Sequence, residues 1–184
     1  FKIGISARQM SKEVKLTYKA AWSMMHKMRT CMQKDKFFKQ LSGHVELDET
    51  YYGGRQHRSH KYRKTGFTNK MPVVGIRSRD GKVKTIAMPK MRSHKLKEII
   101  QKYIRKGSTI YTDDFNLHRN FRKWGYNHFS LNKLLGYVKE PDIHTNSIEG
   151  YWMLSKTKLY ARHHQLSKQY LPKYLAETDY KFNH

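Results

Sequence analysis

Cysteine is almost missing from this sequence, since Cys31 is the only one among 184 residues. A single thiol excludes an internal disulfide and any zinc site built on several cysteines. Long apolar runs are missing as well, and none approaches the roughly 18 residues that a membrane-spanning helix needs. We recognise no signal peptide. We therefore expect a soluble protein of the cytoplasm that has no membrane partner.

Acidic residues are also scarce. Fourteen Asp and Glu stand against 38 Lys and Arg, which gives a formal net charge of +24 and a pI near 10.1. This charge exceeds what solubility requires, so a polyanionic partner is expected. The basic residues run through the whole chain among 13 Tyr, 8 Phe and 3 Trp, and this mixture favours a nucleic acid. RNA binding of the ribosomal type is the main alternative to DNA binding at this point.

Residues 1–38 have the pattern of a helical hairpin. Ser6 is placed to cap a first helix that runs through Val14, and a second helix is predicted from Thr17 to about Met32. Two helices joined by a tight turn are typical of a helix-turn-helix, whose second helix lies in a groove of DNA. A plain packing or dimerising arm has the same pattern, and both interpretations stay open.

The second of these helices has an amphipathic spacing. Its lysines Lys19 and Lys27 point away from the apolar stripe and are candidate DNA contacts. The stripe itself, at positions i, i+4, i+7 and i+11, consists of Ala21, Met25, Met28 and Met32.

From residue 43 onward the pattern changes to alternating strands and helices, so a separate domain is predicted over residues 43–184. The Asp80-Gly81 pair indicates a hairpin between two strands, and Ser93 is predicted to cap a helix that Gly107 terminates. The order βββαβαβαα, with its helical end, indicates an α/β or an α+β fold, of which we expect the α/β fold with a mixed sheet. The predicted strands are 43–54, 72–78, 82–88, 108–112 and 128–131, and the later predicted helices are 93–107, 116–124 and two near the C-terminus.

Residues 55–70 are strongly basic, with six Lys or Arg, two His and no acid. Such a segment is typical of a loop that contacts phosphate. The candidate DNA contacts in it are Arg55, Arg58, Arg63 and Lys64.

Three acids are placed where they could converge. Asp48 lies late in the first predicted strand, Asp113 ends the fourth, and Glu149 falls in the first turn of a helix that begins near residue 145. Carboxylates supply the hard oxygen ligands that Mg²⁺ prefers, and phosphodiester chemistry uses two such ions about 3.5 to 4 Å apart. We therefore expect two Mg²⁺ ions in one site, with Mn²⁺ as a substitute. Strand alternation cannot decide between these aspartates and their neighbours Glu49 and Asp114.

The predicted helix near residue 145 also carries basic side chains. Glu149 and Lys156 lie two turns apart on one face, so Lys156 could hold a phosphate beside the metals. Lys158, Arg162 and His163 extend this as further candidate DNA contacts. The opposite, inward stripe consists of Ile148, Trp152, Ser155 and Leu159.

Three segments together resemble a known family: LDETYYGG at 47–54, YTD at 111–113 and HTNSIEGYW at 144–152. They are similar to the DDE transposases of a bacterial insertion-sequence group related to eukaryotic Merlin elements, and the similarity covers nearly the whole chain. Residues 5–9 and 18–22 resemble the helix-turn-helix that precedes the catalytic domain in such proteins. The resemblance implies a ribonuclease-H-like catalytic core.

The resemblance also implies roles for individual residues. Asp48 and Asp113 match the family's first two catalytic residues, which are metal ligands. Glu49 and Asp114 are then flanking residues. Glu149 is the choice for the third position, with Asn146 and His144 as alternatives, because members of the group differ there.

As a transposase of this kind, the protein is expected to cut DNA at terminal inverted repeats and to join the freed ends to target DNA. Bringing two ends together implies a homodimer or a larger synaptic assembly, associated with the bacterial nucleoid. Members of the group commonly carry a Cys-rich zinc-binding segment upstream, and since the sequence begins at Phe1 we expect that residues precede it.

Two other functions remain open from the sequence. A non-catalytic helix-turn-helix regulator would bind DNA tightly without metal-dependent cleavage. A tyrosine recombinase would form a covalent adduct with DNA through one of the 13 tyrosines.

Overall fold

The computed structural model describes residues 4–34, 38–53, 70–113, 120–131, 144–163 and 166–184. A short 3₁₀ turn, Arg122–Trp124, precedes the last strand. In chain order the helices and strands are α1 (Ala7–Glu13), α2 (Tyr18–Gln33), β1 (His44–Tyr52), β2 (Met71–Ser78), β3 (Val83–Ala87), α3 (Ser93–Tyr103), β4 (Thr109–Asp113), β5 (Asn127–Leu131), α4 (Asn146–Arg162) and α5 (Leu171–Asn183).

The five strands form one mixed sheet in the order β3-β2-β1-β4-β5. β1, β2 and β3 pair antiparallel, whereas β4 pairs parallel with both β1 and β5. At the β2–β3 turn the Gly81 N–H donates to the Ser78 carbonyl at 3.0 Å, and Gly81 has the positive φ of +103° that favours glycine there. The predicted hairpin and the predicted α/β fold with a mixed sheet are confirmed.

Apolar side chains cover both faces of the sheet. On one face, Val45 and Leu47 of β1 pack in a cluster with Leu96 and Ile100 of α3. On the other, Tyr52 of β1 belongs to a cluster formed with α4 and α5. Successive β1 residues therefore point to opposite helical layers, and the central strand carries one face toward each helix group.

The N-terminal hairpin begins as predicted. The Ser6 side chain accepts a hydrogen bond from Gln9 N at 3.1 Å, and Thr17 accepts one from Ala20 N at 3.3 Å. Both residues are therefore the N-caps of their helices.

The buried face of α2 differs from the predicted stripe, because Met28 is 48% exposed. The residues that α2 does bury are Ala21, Met25, His26 and Arg29. Arg29 Nε donates to Glu177 Oε2 of α5 at 2.7 Å, and the Trp22 ring meets the Tyr170 ring edge-on. The buried positions thus follow the side of α2 that docks on α5, which includes polar partners that an apolar pattern does not reveal.

Two predicted helix boundaries are wrong. Ser93 is the first residue of α3 rather than its cap, and Arg92 at the cap position makes no side-chain capping bond. The helix ends at Tyr103, before Gly107, because Ile104 turns to an extended conformation and forms a parallel bridge with Leu41. Of the helix predicted at 116–124, residues 116–119 lie outside the described residues, and the 3₁₀ turn occupies its end.

None of the helices in the described part of the chain is long and apolar enough to span a membrane.

Candidate metal site between two central strands

Three carboxylates meet where β1 and β4 run side by side. The parallel register sets Glu46 opposite Tyr111, and the same offset carried two residues further brings Asp48 level with Asp113. Oxygens of Asp48, Glu49 and Asp113 all lie within 4.8 Å of one another, in the single such group that the described residues contain. We call these three residues the acid cluster. The structure thus brings two of the three predicted metal ligands together and adds Glu49.

Proximity and burial make the ionised cluster unfavourable without a cation. Burial, with the nearby negative charge of Asp113, raises the pKa of Asp48 to about 6. Burial, with the charges of Asp48 and Asp113, raises the pKa of Glu49 to about 7. Hard carboxylate oxygens that repel one another in a partly desolvated site are the donor set that a divalent cation stabilises. The residues present therefore fit a divalent metal.

Helix α4 is fastened to β1 beside the acid cluster. Trp152 Nε1 donates a 3.0 Å hydrogen bond to Asp48 Oδ2, and the hydroxyls of Tyr52 and Ser155 share one of 2.8 Å. The Trp152 ring also lies against Gly75 of β2, where an added Cβ would stand 2.3 Å from a ring carbon. Glycine at position 75 therefore lets the indole approach the sheet closely enough to contact Asp48.

The candidates for the third catalytic position all lie at the start of α4. Glu149 is exposed in the first turn, where Thr145 Oγ1 donates to its Oε1 at 3.4 Å. It is not among the acids whose oxygens lie within 4.8 Å of one another, although its negative charge, after burial and Asp113, helps to raise the pKa of Asp48. Asn146 is the exposed first residue of α4. His144 directs Nδ1 toward Glu46 Oε1, at 3.3 Å.

The predicted DNA contacts on α4 do not form one track. Lys156 is half-buried near Asp48, and burial lowers its pKa although the Asp48 charge opposes this. Lys158 follows by two residues, about 200° around the helix axis. Lys158, Arg162 and His163 instead line a small cavity of about 30 Å³ together with residues of α5. Only Lys156 of this group lies on the acid-cluster side of α4.

Two of the other predicted DNA contacts lie on a different helix. Lys19 and Lys27 are exposed on α2. Arg55, Arg58, Arg63 and Lys64 lie outside the described residues, as does Asp114.

Glu46 was not predicted as a site residue, although it is fully buried in β1 and bonded to α4. Its position two residues before Asp48 was the available signal, because strand residues i and i+2 share a face. A buried acid between Val45 and Leu47 is uncommon enough to mark a specific partner.

Known proteins resemble this chain to different degrees. An uncharacterized transposase-like protein of Haemophilus influenzae is 26% identical over 102 residues, which cover 55% of this chain and 81% of that protein. The crystal structure of the Mos1 strand transfer complex aligns over 98% of this chain and 74% of its own chain, at 10% identity and a TM-score of 0.32. A likeness that weak supports no conclusion. The ISXO2-like transposase domain, in contrast, matches residues 40–183, which include the whole sheet, and the chain therefore belongs to the ISXO2-like transposase domain family.

Proposed function

We propose that this chain catalyses metal-dependent DNA cleavage at transposon ends and strand transfer into target DNA. The observation that carries the proposal is the acid cluster: Asp48, Glu49 and Asp113 present oxygens within 4.8 Å of one another. In a chain of net charge +24, three acids held together on neighbouring strands indicate a cation site. The family assignment supplies the reaction class.

In this proposal Asp48 and Asp113 hold Mg²⁺, with Mn²⁺ as a substitute, and Glu49 is placed to contribute. Two divalent cations, when bound, activate an attacking oxygen and neutralise the leaving oxygen in an in-line displacement at phosphorus. Water is the attacking group in cleavage, and the freed 3′-hydroxyl is the attacking group in strand transfer. Trp152 fixes the orientation of the Asp48 carboxylate through its 3.0 Å hydrogen bond.

The basic side chains bind and orient the DNA. Lys156 lies close enough to Asp48 for the negative charge of Asp48 to oppose the lowering of the Lys156 pKa by burial, which suits contact with the phosphate next to the reacting one. Terminal inverted repeats and target DNA are the proposed partners, and a homodimer or larger assembly synapses two ends. The basic segment 55–70 and the exposed lysines of α2 extend the DNA surface.

Several finer features belong to the same proposal. The sheet order and its mixed pairing support a ribonuclease-H-like core over residues 43–184. Residues 1–38 serve as a helix-turn-helix, and the side of α2 that does not dock on α5 carries Lys19 and Lys27. Glu149 is the third catalytic residue, Asn146 its alternative. Association with the bacterial nucleoid and kinship with Merlin elements complete the proposal.

The test is cleavage of a labelled duplex that carries the terminal inverted repeat of the encoding element. Purified protein with Mg²⁺ or Mn²⁺ is expected to nick it, and Asp48→Asn or Asp113→Asn to abolish nicking while DNA binding persists. Asp80→Asn is the matched control, since Asp80 is exposed in the β2–β3 turn and Asn-Gly suits such a turn as well as Asp-Gly.

Nicking that survives both active-site substitutions contradicts the proposal. Tight binding with no metal-dependent nicking by the wild-type chain favours the non-catalytic regulator instead.

A further inference from the structure

A buried carboxylate holds the first turn of α4 to the central strand. Glu46 is fully buried, and its Oε2 accepts a 2.9 Å hydrogen bond from the backbone N–H of Ile148. Thr145, at the N-cap of α4, makes no side-chain capping bond. Glu46 therefore satisfies, from another element, a backbone donor that the helix itself leaves unpaired, and its charge suits the positive end of the helix dipole.

The second oxygen of Glu46 faces two nitrogen groups. Arg79 Nε lies 3.5 Å and His144 Nδ1 lies 3.3 Å from Oε1. Arg79 also donates to the His144 carbonyl at 3.4 Å, and its guanidinium stacks 4.3 Å above the Tyr111 ring. One carboxylate thus ties the segment before α4, as well as its first turn, to the sheet.

These contacts stand next to the acid cluster. Glu46 and Asp48 are two residues apart in β1 and so share the face toward α4. Their partners, Ile148 and Trp152, are four residues apart and so share a face of the helix. Glu46 and Asp48 therefore bond to two successive turns of α4. Glu149 lies between their partners, Ile148 and Trp152, in the sequence.

We propose that Glu46 is a positioning residue for the metal-dependent reaction. It fixes the first turn of α4, with Asn146 and Glu149, at a set place relative to Asp48 and Asp113. The inference rests on the proposed function, because the acid cluster is the site that Glu46 serves. Side chains that orient the metal ligands without touching the metal typically lower metal affinity or activity roughly 10- to 100-fold when they are removed.

Glu46→Gln tests this role with little change of volume. The amide oxygen can still accept from Ile148 N, but the negative charge between Arg79 and His144 is gone. We expect the Mn²⁺ concentration for half-maximal nicking to rise about tenfold. We also expect faster amide hydrogen exchange in the peptide spanning 144–151, measured without metal. Glu46→Ala should exceed both effects, and Glu46→Gln decides if the alanine variant does not fold.

Asp179→Asn is the matched control, because Asp179 is a second buried carboxylate that also bonds α4, through Tyr151, but away from its first turn. It should lower the melting temperature yet leave the Mn²⁺ requirement within about twofold of wild type. The proposal is overturned if Glu46→Gln leaves both the Mn²⁺ requirement and the 144–151 exchange unchanged. It is equally overturned if Asp179→Asn raises the Mn²⁺ requirement as much as Glu46→Gln.

The two proposals fail in different ways. If the wild-type chain shows no metal-dependent nicking, the proposed function is wrong. The rate of amide hydrogen exchange in the 144–151 peptide of the two Glu46 variants, compared with wild type, still decides whether Glu46 fixes the start of α4.

Discussion

One buried carboxylate and one half-buried group of carboxylates lie against this sheet, and their surroundings are opposite. Asp179 of α5 accepts hydrogen bonds from Thr85 N at 2.8 Å, Thr85 Oγ1 at 2.9 Å and the Tyr151 hydroxyl at 2.6 Å. In the acid cluster, Asp48 has the Trp152 indole as a donor, but its close neighbours Glu49 and Asp113 are themselves acids. The hydrogen bonds of Asp179 connect α5 to β3 and α4. The carboxylates of the acid cluster repel one another instead.

A raised pKa alone does not separate the two. Burial raises the pKa of Asp179 to about 6, and burial with the Asp113 charge raises that of Asp48 to about 6 as well. The difference lies in the neighbouring groups. Hydrogen-bond donors surround Asp179, whereas further negative charges lie beside Asp48. Repulsion between neighbouring carboxylates, more than the size of a pKa shift, therefore marks the place for a cation.

The largest expected effect is on stability at Asp179. Asp179→Ala leaves buried donors of Thr85 and Tyr151 without an acceptor, so we expect a loss of about 2 to 5 kcal/mol in the free energy of unfolding. Asp113→Asn should cost less than about 1 kcal/mol or stabilise the metal-free chain, because it relieves repulsion. Urea unfolding measures both. Equal losses of unfolding free energy in Asp179→Ala and Asp113→Asn would contradict the difference between Asp179 and the acid cluster.

The next effect is the response to metal. A ligand present at about 100 times its dissociation constant stabilises the folded state by about 2.7 kcal/mol, which for a chain of this size shifts the melting temperature by roughly 5–10 °C. We expect such a shift with Mn²⁺ in wild type and in Asp179→Asn, and none in the Asp48→Asn/Asp113→Asn double variant. A shift that persists in the double variant would place the cation elsewhere.

The dependence of stability on pH also reflects the raised pKa values of these carboxyl groups. A carboxyl group whose pKa is higher folded than unfolded binds a proton on folding, so its stabilising contribution is full below about pH 4 and is lost as pH rises through the folded pKa. With burial raising the pKa of Asp48 to about 6 and of Glu49 to about 7, the metal-free chain should lose roughly 1–3 kcal/mol from about pH 4 to pH 7.

Mn²⁺ should remove the part of this slope that the acid cluster causes. The part due to Asp179, whose pKa burial raises to about 6, should persist with Mn²⁺ and vanish in Asp179→Asn. Unfolding curves collected across pH, with and without Mn²⁺, check this, and identical slopes under both conditions would argue against metal binding at the cluster.

The smallest expected effect concerns Glu49. Because its oxygens lie with those of Asp48 and Asp113, Glu49→Gln should weaken Mn²⁺ binding about tenfold without abolishing it. Titration calorimetry measures the change, and Glu98→Gln, on an exposed position of α3, is the control. Unchanged affinity would return Glu49 to the role of a flanking residue.

Local patterns predicted much of this fold. Alternation and the Asp80-Gly81 turn predicted the strands and the mixed sheet, and Ser6 was correctly predicted as a cap. The failures arose where tertiary contacts override local preference. Ile104 is extended and pairs with Leu41 instead of continuing α3. Met28 is exposed, because α2 buries His26 and Arg29 against α5 instead.

The site was predictable only in part for a related reason. Asp48 and Asp113 were placed by motif, and their closeness follows from parallel pairing of β1 with β4. Glu49 lies on the opposite face of β1 from Asp48 by alternation, yet its oxygen still reaches the cluster where β4 ends. The role of Glu46 depends on where α4 docks, which no local pattern contains.

The most direct measurement is anomalous diffraction from crystals of the chain soaked in Mn²⁺. We expect peaks coordinated by the carboxylates of Asp48 and Asp113, about 3.5 to 4 Å apart where two ions bind. Manganese bound only at other residues, with no peak between Asp48 and Asp113 at saturating concentration, would contradict it.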